Sequence, residues 1–406
     1  MHLLFDLPLL AMALCAALPS LWFFIECVLG ALYRPARPPL EAAEGRRVAV
    51  LMPAHNESAG IEQTVRALAP QLSAATQLWV VADNCTDDTA RLAAASGEHV
   101  RVLERHDAAR RGKGYALAHG LEQLAADPPD AVVIVDADCE VSTEGIARLA
   151  QRALADDAPV QADYVLTPAQ RPSGRSVVSA LAFLVKNRVR PRGLAALGQP
   201  CLLTGTGMGF PWHVLRKAPP TDDHLVEDMV MGLELAHLGH APRLCPDVCV
   251  TSALPEREKA ASAQRKRWEH GHLATLFSHG PRLLRHGLSS GRMQLISLAL
   301  ELCVPPLSLL VLMLVAATGV CAVAAILGAS GLPLAIVVVS LCAIAVGVLA
   351  GWLAYGRELV RARDLLAIPL YVLWKLPLYF SFFTRGKQRS WERTERAPAD
   401  ADTPKP

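Results

Sequence analysis

The amino-acid sequence predicts an α/β protein: a doubly wound, mostly parallel sheet domain flanked by transmembrane α-helices. Three observations carry this. Short, almost continuously apolar runs alternate with helical patterns in the first third of the chain, long uncharged apolar stretches lie near both ends, and acidic or polar residues follow the apolar runs.

Leu7 to Tyr33 is apolar apart from Glu26. At about 1.5 Å per residue, a helix of that length crosses a hydrocarbon core of about 30 Å. A cleaved signal peptide is the competing reading, because small residues follow the first apolar block; against it, a basic leading region is lacking and the apolar length is excessive. Arg34, Arg37, Arg46 and Arg47 follow the stretch while only His2 and Asp6 precede it, which places the chain beyond Tyr33 in the cytosol. Residues 1–33 are therefore read as an N-terminal transmembrane helix and residues 34–275 as a cytosolic domain.

Within that domain Val48–Met52, Leu78–Ala82, Val100–Leu103 and Ala131–Val135 read as strands buried on both faces. Helical segments separate them: Ile61, Val65 and Leu68 share one face, and Ala90–Ala95 follows the turn-prone Thr86. In such sheets ligands lie beyond the carboxyl ends of the strands. Polar residues cluster there: His55, Asn56 and Glu57 after the first strand, Asp83 and Asn84 after the second, Asp136 and Asp138 after the fourth.

Residues 276–293 are expected to form an interfacial linker helix. Residues 294–355 read as a transmembrane hairpin broken near Gly328–Pro333, with Arg357, Arg361 and Arg363 as its cytosolic flank. Residues 365–383 form another apolar piece, which contains Pro369, Lys375 and Pro377. If it spanned, the cations from Arg385 to Arg396 would lie outside, so a re-entrant or interfacial segment is expected and a full span is the alternative. Residues 384–406 are a tail, basic at first and then, from Ala397 to Pro406, Ala, Pro and Asp rich, where it reads as disordered. Glu26 and Glu301, expensive inside a bilayer, either line a passage or take an interfacial position or a buried hydrogen bond between helices.

Composition narrows the function. Of 406 residues, 52% are hydrophobic and 19% charged, which excludes a disordered or collagen-like chain. Lys and Arg total 40 against 38 for Asp and Glu, so a net charge of +2 offers no field for duplex nucleic acid. The ten cysteines contain no CxxC pair, which suits reduced thiols better than a disulfide or zinc framework.

The sharpest motif is Asp136-Ala-Asp138 after a buried strand. Residues two apart on an extended chain point the same way, and two hard oxygen donors suit Mg²⁺ or Mn²⁺, which complete their shell with water and phosphates. The bland reading is a solvated strand-end turn. Asp83 emerges straight from a strand and suits a ligand, whereas Thr86, Asp87 and Asp88 read as caps. Arg111-Gly-Lys113-Gly suits a phosphate or base edge, or a solvated loop. Thr204-Gly-Thr-Gly-Met208-Gly matches neither the Walker A nor the dinucleotide pattern. Glu227-Asp228 opens a helix, where acids also complement the macrodipole. Gln264-Arg265-Lys266-Arg267-Trp268 places cations beside an aromatic, which a juxtamembrane lipid-contacting cluster would also explain.

Taken in order, these motifs make Arg47–Trp268 resemble the glycosyltransferase family 2 membrane enzymes, among them cellulose, chitin, hyaluronan and poly-N-acetylglucosamine synthases and ceramide glucosyltransferase. The resemblance implies a GT-A-like sheet domain and a membrane-bound, inverting, metal-dependent transfer of sugar from a nucleotide diphosphate sugar, on balance a UDP-sugar, to a polysaccharide or lipid-linked acceptor. It implies that Asp83 binds uracil, with Pro53, His55, Asn56, Glu57 and Lys113 around the nucleoside. Asp136 and Asp138 would hold nucleotide and Mg²⁺ or Mn²⁺, with Asp138 the direct ligand. Asp228 would be the general base beside Glu227, and Gln264, Arg265, Arg267 and Trp268 would border acceptor and diphosphate. Val226 departs from the Thr that the synthases commonly carry before Glu-Asp, and the spans are fewer than cellulose synthases use. The expected partners are donor, acceptor, membrane lipid and possible export or accessory subunits, without nucleic acid. A rival reading from another class is a non-catalytic nucleotide-sugar-binding scaffold of an export complex.

Overall fold

The computed structural model describes residues 2–40, 45–167, 174–219, 226–254 and 258–385. The chain forms two compact units, a sheet unit of Pro35–Ala169 with Pro200–Trp268 and a helical unit of Met1–Arg34, Gln170–Gln199 and Glu269–Gln388; Arg389–Pro406, grouped with the former, lies outside the described residues.

The sheet unit holds eight strands: β1 Val48–Ala54, β2 Thr76–Asp83, β3 Val100–Arg105, β4 Ala131–Ile134, β5 Cys139–Val141, β6 Val160–Thr167, β7 Met208–Pro211 and β8 Arg243–Ala253. Their order is β3-β2-β1-β4-β7-β6-β8-β5. The first four are parallel, as the apolar runs predict, with Ala54 level with Ala82, Leu51 with Ile134 and Asp83 with Arg105. Beyond β4 the sheet is mixed. β7 runs antiparallel to β4 and β6, β5 runs antiparallel to β8, and β6 and β8 are parallel. The first helices, α2 Ile61–Leu68, α3 Thr89–Ala94 and α4 Lys113–Leu124, close the crossovers of the parallel half. Leu51, Val81, Leu117, Ile134, Phe210 and Leu235 meet in one buried core. That core fixes the strand ends from which the polar residues project.

Residues 174–199 belong to the helical unit, although the sequence places them inside a continuous domain of residues 34–275. Helix α1, His2–Leu32, meets α7, Arg190–Ala196, which follows α6, Gly174–Leu184, through a π-turn at Val185–Val189. The two backbones touch. A Cβ added to Gly30 would stand 1.9 Å from the Val189 carbonyl oxygen, and one added to Gly193 would stand 2.0 Å from that of Glu26. Beside this contact Arg190 donates from Nε to Glu26 at 2.6 Å and from a terminal nitrogen to Glu301 at 2.7 Å. Both acids are buried, so their charges are met inside the protein.

The expected hairpin of residues 294–355 is three helices. Pro305-Pro306 cannot continue the ladder, so α11 Met293–Cys303 stops before them and α12 Leu307–Ile326 starts after. α13 Leu332–Gly351 follows the turn at residues 327–331. The expected linker of residues 276–293 belongs mostly to α10, Glu258–Ser290, which also carries the Gln264–Trp268 motif. Residues 365–383 divide into α14 Ile368–Trp374 and α15 Leu376–Arg385, flanking Lys375. Among the described residues three helices are long and apolar enough to cross a membrane: Asp6–Leu32, Leu307–Ile326 and Leu332–Gly356. The tail expected to be disordered, residues 397–406, lies outside the described residues, as does the basic stretch before it from residue 386.

Removing one member of a buried ion cluster strands the others. Arg190→Leu should lower stability by about 3–5 kcal/mol in detergent melts, whereas the joint change Glu26→Gln, Arg190→Met and Glu301→Gln should recover most of that loss. Equal melting of Arg190→Leu and the parent would contradict the pairing.

Candidate active site

Parallel register brings the ends of β2, β1 and β4 to one edge. Pro53 lies within β1 near that edge, and His55, just beyond it, donates from Nδ1 to the Asp83 carbonyl at 2.6 Å. Asn56 adopts φ +54° and accepts the Thr86 N–H at 2.7 Å, while the Glu57 N–H donates to Thr89 Oγ1 at 2.8 Å. These bonds join the loops after β1 and β2 into one wall. Of the residues read as caps, Asp87 accepts from the Thr89 N–H at 3.1 Å and its hydroxyl at 2.5 Å, while Asp88, at the N-cap position of α3, makes no side-chain cap hydrogen bond and accepts from Arg91.

Asp83 is buried at the end of β2, and its Oδ1 accepts from Arg105 at 2.6 Å and from the Asn84 amide at 3.0 Å. Arg105 ends β3 and carries no signal in the sequence; its place opposite Asp83 is visible only once the strands are aligned in register.

The second cluster surrounds Lys113, the first residue of α4. The sequence places this lysine by the nucleoside, but its ammonium donates to Asp136 at 2.5 Å and to the Gly205 carbonyl at 2.6 Å. Burial opposes its charge, yet the carboxylates of Asp136, Glu227 and Asp228 outweigh that cost and hold its pKa above the ordinary lysine value. Burial and the nearby Asp138 raise the Asp136 carboxyl, with Lys113 pulling the other way. Glu227, at the first turn of α9 Glu227–His237, is raised to about 7, chiefly by burial and then by the charge of Asp228, against Lys113 and Arg267.

The loop between Thr204 and Gly209 threads this cluster. Gly205, at φ +94°, leaves space where a Cβ would stand 3.2 Å from Asp228 Oδ2 and 3.3 Å from the Lys113 nitrogen. Thr206 Oγ1 accepts the Asp136 N–H at 3.1 Å. Buried Gln161 of β6 braces the loop from behind, accepting from Thr204 N–H at 2.9 Å and donating to the Thr206 carbonyl at 2.9 Å. Neither Gln161 nor Thr206 stands out in the sequence, since an isolated amide and a loop hydroxyl carry no spacing signal.

Ligand atoms of Asp136, Asp138 and Cys139 lie within 4.8 Å of one another, close enough to share one ion. Burial and the two aspartates raise the Cys139 thiol well above its ordinary value, so it stays protonated and the donors left are hard carboxylate oxygens. The set fits Mg²⁺ or Mn²⁺ better than a thiophilic metal.

Of the α10 motif, Arg267 joins the cluster through its charge against Glu227. Gln264, one turn earlier, shares its helical face, while Arg265 and Trp268 belong to another, with Arg265 buried. The geometry thus unites Lys113, Asp136, Asp138, Glu227, Asp228 and Arg267, and places Asp83 on the same strand edge.

The sequence pattern described as glycosyltransferase-like family 2 matches residues 45–271. Glucosyl-3-phosphoglycerate synthase of Mycobacterium tuberculosis is 41% identical over 106 residues, 24% of this chain and 31% of that protein. Glycosyltransferase AglD of Haloferax volcanii is 31% identical over 122 residues, 29% of this chain and 19% of that one. The chain therefore spans less than a third of the length of the curated relatives it matches. Among solved structures, the mannosyltransferase PcManGT of Pyrobaculum calidifontis, in complex with GDP-Man and Mn²⁺, superposes with a TM-score of 0.52 at 21% identity, covering 84% of this chain and 99% of that one, which supports the shared fold.

The carboxyl of Glu227 has a raised pKa in the folded chain, so between about 4.5 and about 7 the folded state binds more protons and stability falls as pH rises. Glu227→Gln should therefore melt higher than the parent at pH 8, with the gap closing towards pH 4.5. A gap that stays constant across this window would refute the assignment.

Proposed function

This chain belongs to the glycosyltransferase-like family 2, and we propose that its site transfers a sugar from a nucleoside-diphosphate donor to a hydroxyl of a polysaccharide or lipid-linked acceptor, with inversion at the anomeric carbon. The convergence of Lys113, Asp136, Glu227 and Asp228 around Gly205 carries the reading, because it sets a cation and carboxylates about one small space.

Asp228 takes the proton of the acceptor hydroxyl as that oxygen bonds to the anomeric carbon. The bond from that carbon to the diphosphate breaks, and its electron pair leaves with the diphosphate. Glu227, raised to about 7 chiefly by burial and then by the charge of Asp228, stands beside that base. Lys113 and Arg267 face the charge that develops on the diphosphate, a preorganised stabilisation that water would have to reorganise to supply. Mg²⁺ or Mn²⁺, held by Asp138 with Asp136, would supply further neutralisation of that leaving group.

Three long apolar helices support a membrane-bound enzyme. The cations after the first, Arg34, Arg37, Arg46 and Arg47, and after the third, Arg357, Arg361 and Arg363, favour a cytosolic sheet unit at a cell membrane.

Washed membranes supplied with a panel of nucleotide sugars should consume one donor and label an acceptor. Asp228→Asn should lower kcat by about 10²- to 10⁴-fold while donor binding changes little; turnover within twofold of the parent would remove the base assignment. Separately, Asp138→Asn should weaken Mn²⁺ binding by tenfold or more, on the order expected for loss of a direct ligand, followed by the resonance of free Mn²⁺. Unchanged binding would clear Asp138 of the metal role.

A further inference from the structure

Gln161 lies inside β6, 1% exposed, and its amide touches the Thr204–Gly209 loop on both sides of Gly205. Oε1 accepts the Thr204 N–H at 2.9 Å, and Nε2 donates to the Thr206 carbonyl at 2.9 Å and to the Ala162 carbonyl at 3.0 Å. A backbone N–H can only donate, so the amide stands in this orientation and both of its hydrogens are used.

The residue between the two grips has no direction of its own. Glycine turns freely, and the φ of +94° at Gly205 is one of many angles open to it. Here its carbonyl accepts from the Lys113 ammonium at 2.6 Å, and the same ammonium pairs with Asp136 at 2.5 Å. Asp136 is tied to the same loop, because its N–H donates to Thr206 Oγ1 at 3.1 Å. Both acceptors of Lys113 thus hang on the segment that Gln161 holds. The far end of the loop is fixed separately: the Ala162 N–H donates to the Gly207 carbonyl at 2.8 Å, and a Cβ on Gly207 would stand 2.6 Å from Val250. The aim of the Gly205 carbonyl is left to Gln161.

We propose that Gln161 is a positioning residue for the transfer: by gripping both sides of Gly205 it points that carbonyl at Lys113, and so holds the ammonium where charge develops on the leaving diphosphate. The part in transfer rests on the reading of this site as a sugar transferase. The hold on Lys113 does not.

Gln161→Met keeps the length of the side chain and removes its donor and its acceptor. In the detergent-solubilised full chain, a pulse of acetic anhydride followed by peptide mass spectrometry should modify Lys113 about fivefold or more faster than in the parent, as expected when an ammonium loses a fixed acceptor. Lys217, exposed on the same unit, should react at the parent rate. With the donor that the parent consumes, kcat should fall about tenfold or more while KM moves less than about threefold, a split that lost stability alone does not produce. A lower melting temperature with Lys113 modification and kcat both at parent values would overturn the assignment and leave the transferase reading intact. Faster modification with kcat unchanged would overturn the role in transfer. Faster modification in a chain whose parent turns over no donor would support the hold on Lys113 and sink the transferase reading. Should Gln161→Met fail to fold, hydrogen exchange in the parent decides: the Thr204 amide should be protected to within about tenfold of the Ala162 amide of β6, and exchange at the rate of an open loop would overturn the grip.

Discussion

One partly buried ammonium holds together carboxylates that would otherwise drive each other apart. Lys113 donates to Asp136 and to the Gly205 carbonyl, and it lies within the field of Glu227 and Asp228. These acids come from the end of β4 and from the start of α9, and Lys113 itself opens α4, so the electrostatic balance needs three elements in register. The sheet core supplies that register. Glycine suits position 205 for two physical reasons: a φ of +94° strains an L side chain, and a Cβ there would press on the tips of Asp228 and Lys113 at 3.2 and 3.3 Å. Burial and the charge of Asp228 together raise the neighbouring Glu227 carboxyl.

The Asp83 edge obeys a different logic. There the sheet sets two charged strand ends side by side, Asp83 beside Arg105, and the loop after β3 returns an N–H from Asp107 to orient Asn84. Both donors of this network, Arg105 and Asn84, fall on the same oxygen of Asp83. The Lys113 cluster concentrates charge, while the Asp83 network uses it up except at one oxygen.

How much of this is legible in the sequence depends on whether the cause is local. β1 to β4 are strands because continuous apolar runs can be buried on both faces, and the alternation alone reveals them. β6 hides Gln161 and Asp163 in its interior, each buried, and β7 carries Gly and Pro, so neither fits the pattern. The Gln161 amide is satisfied by a segment distant in sequence, the Thr204–Thr206 loop. The acidic motifs are legible because they follow strands directly. Arg105 is not, because its meaning lies in a register between strands. Lys113 stands out in the sequence as a Gly-flanked cation suited to a base or phosphate edge, but its ion pair with Asp136 depends on the fold and has no signal there.

The helical unit shows why charges inside apolar stretches are poor guides to topology when read singly. Lys375 interrupts residues 365–383 and, with the cations beyond, argues from sequence against a span. In the fold it is buried and paired with Glu269, with the Tyr371 ring 4.9 Å from its ammonium. The segment also breaks into helices of 7 and 10 residues, each too short to cross a hydrocarbon core of about 30 Å. Tyr379 continues the same face into a buried cluster with Leu273 and Leu309. Glu26 and Glu301 resolve in the same manner, through Arg190, a residue that the sequence pattern assigns to the soluble domain. In each case the charge that looks costly in lipid is matched by a partner on another segment of the unit, so its cost is met by protein packing and carries no information about the bilayer.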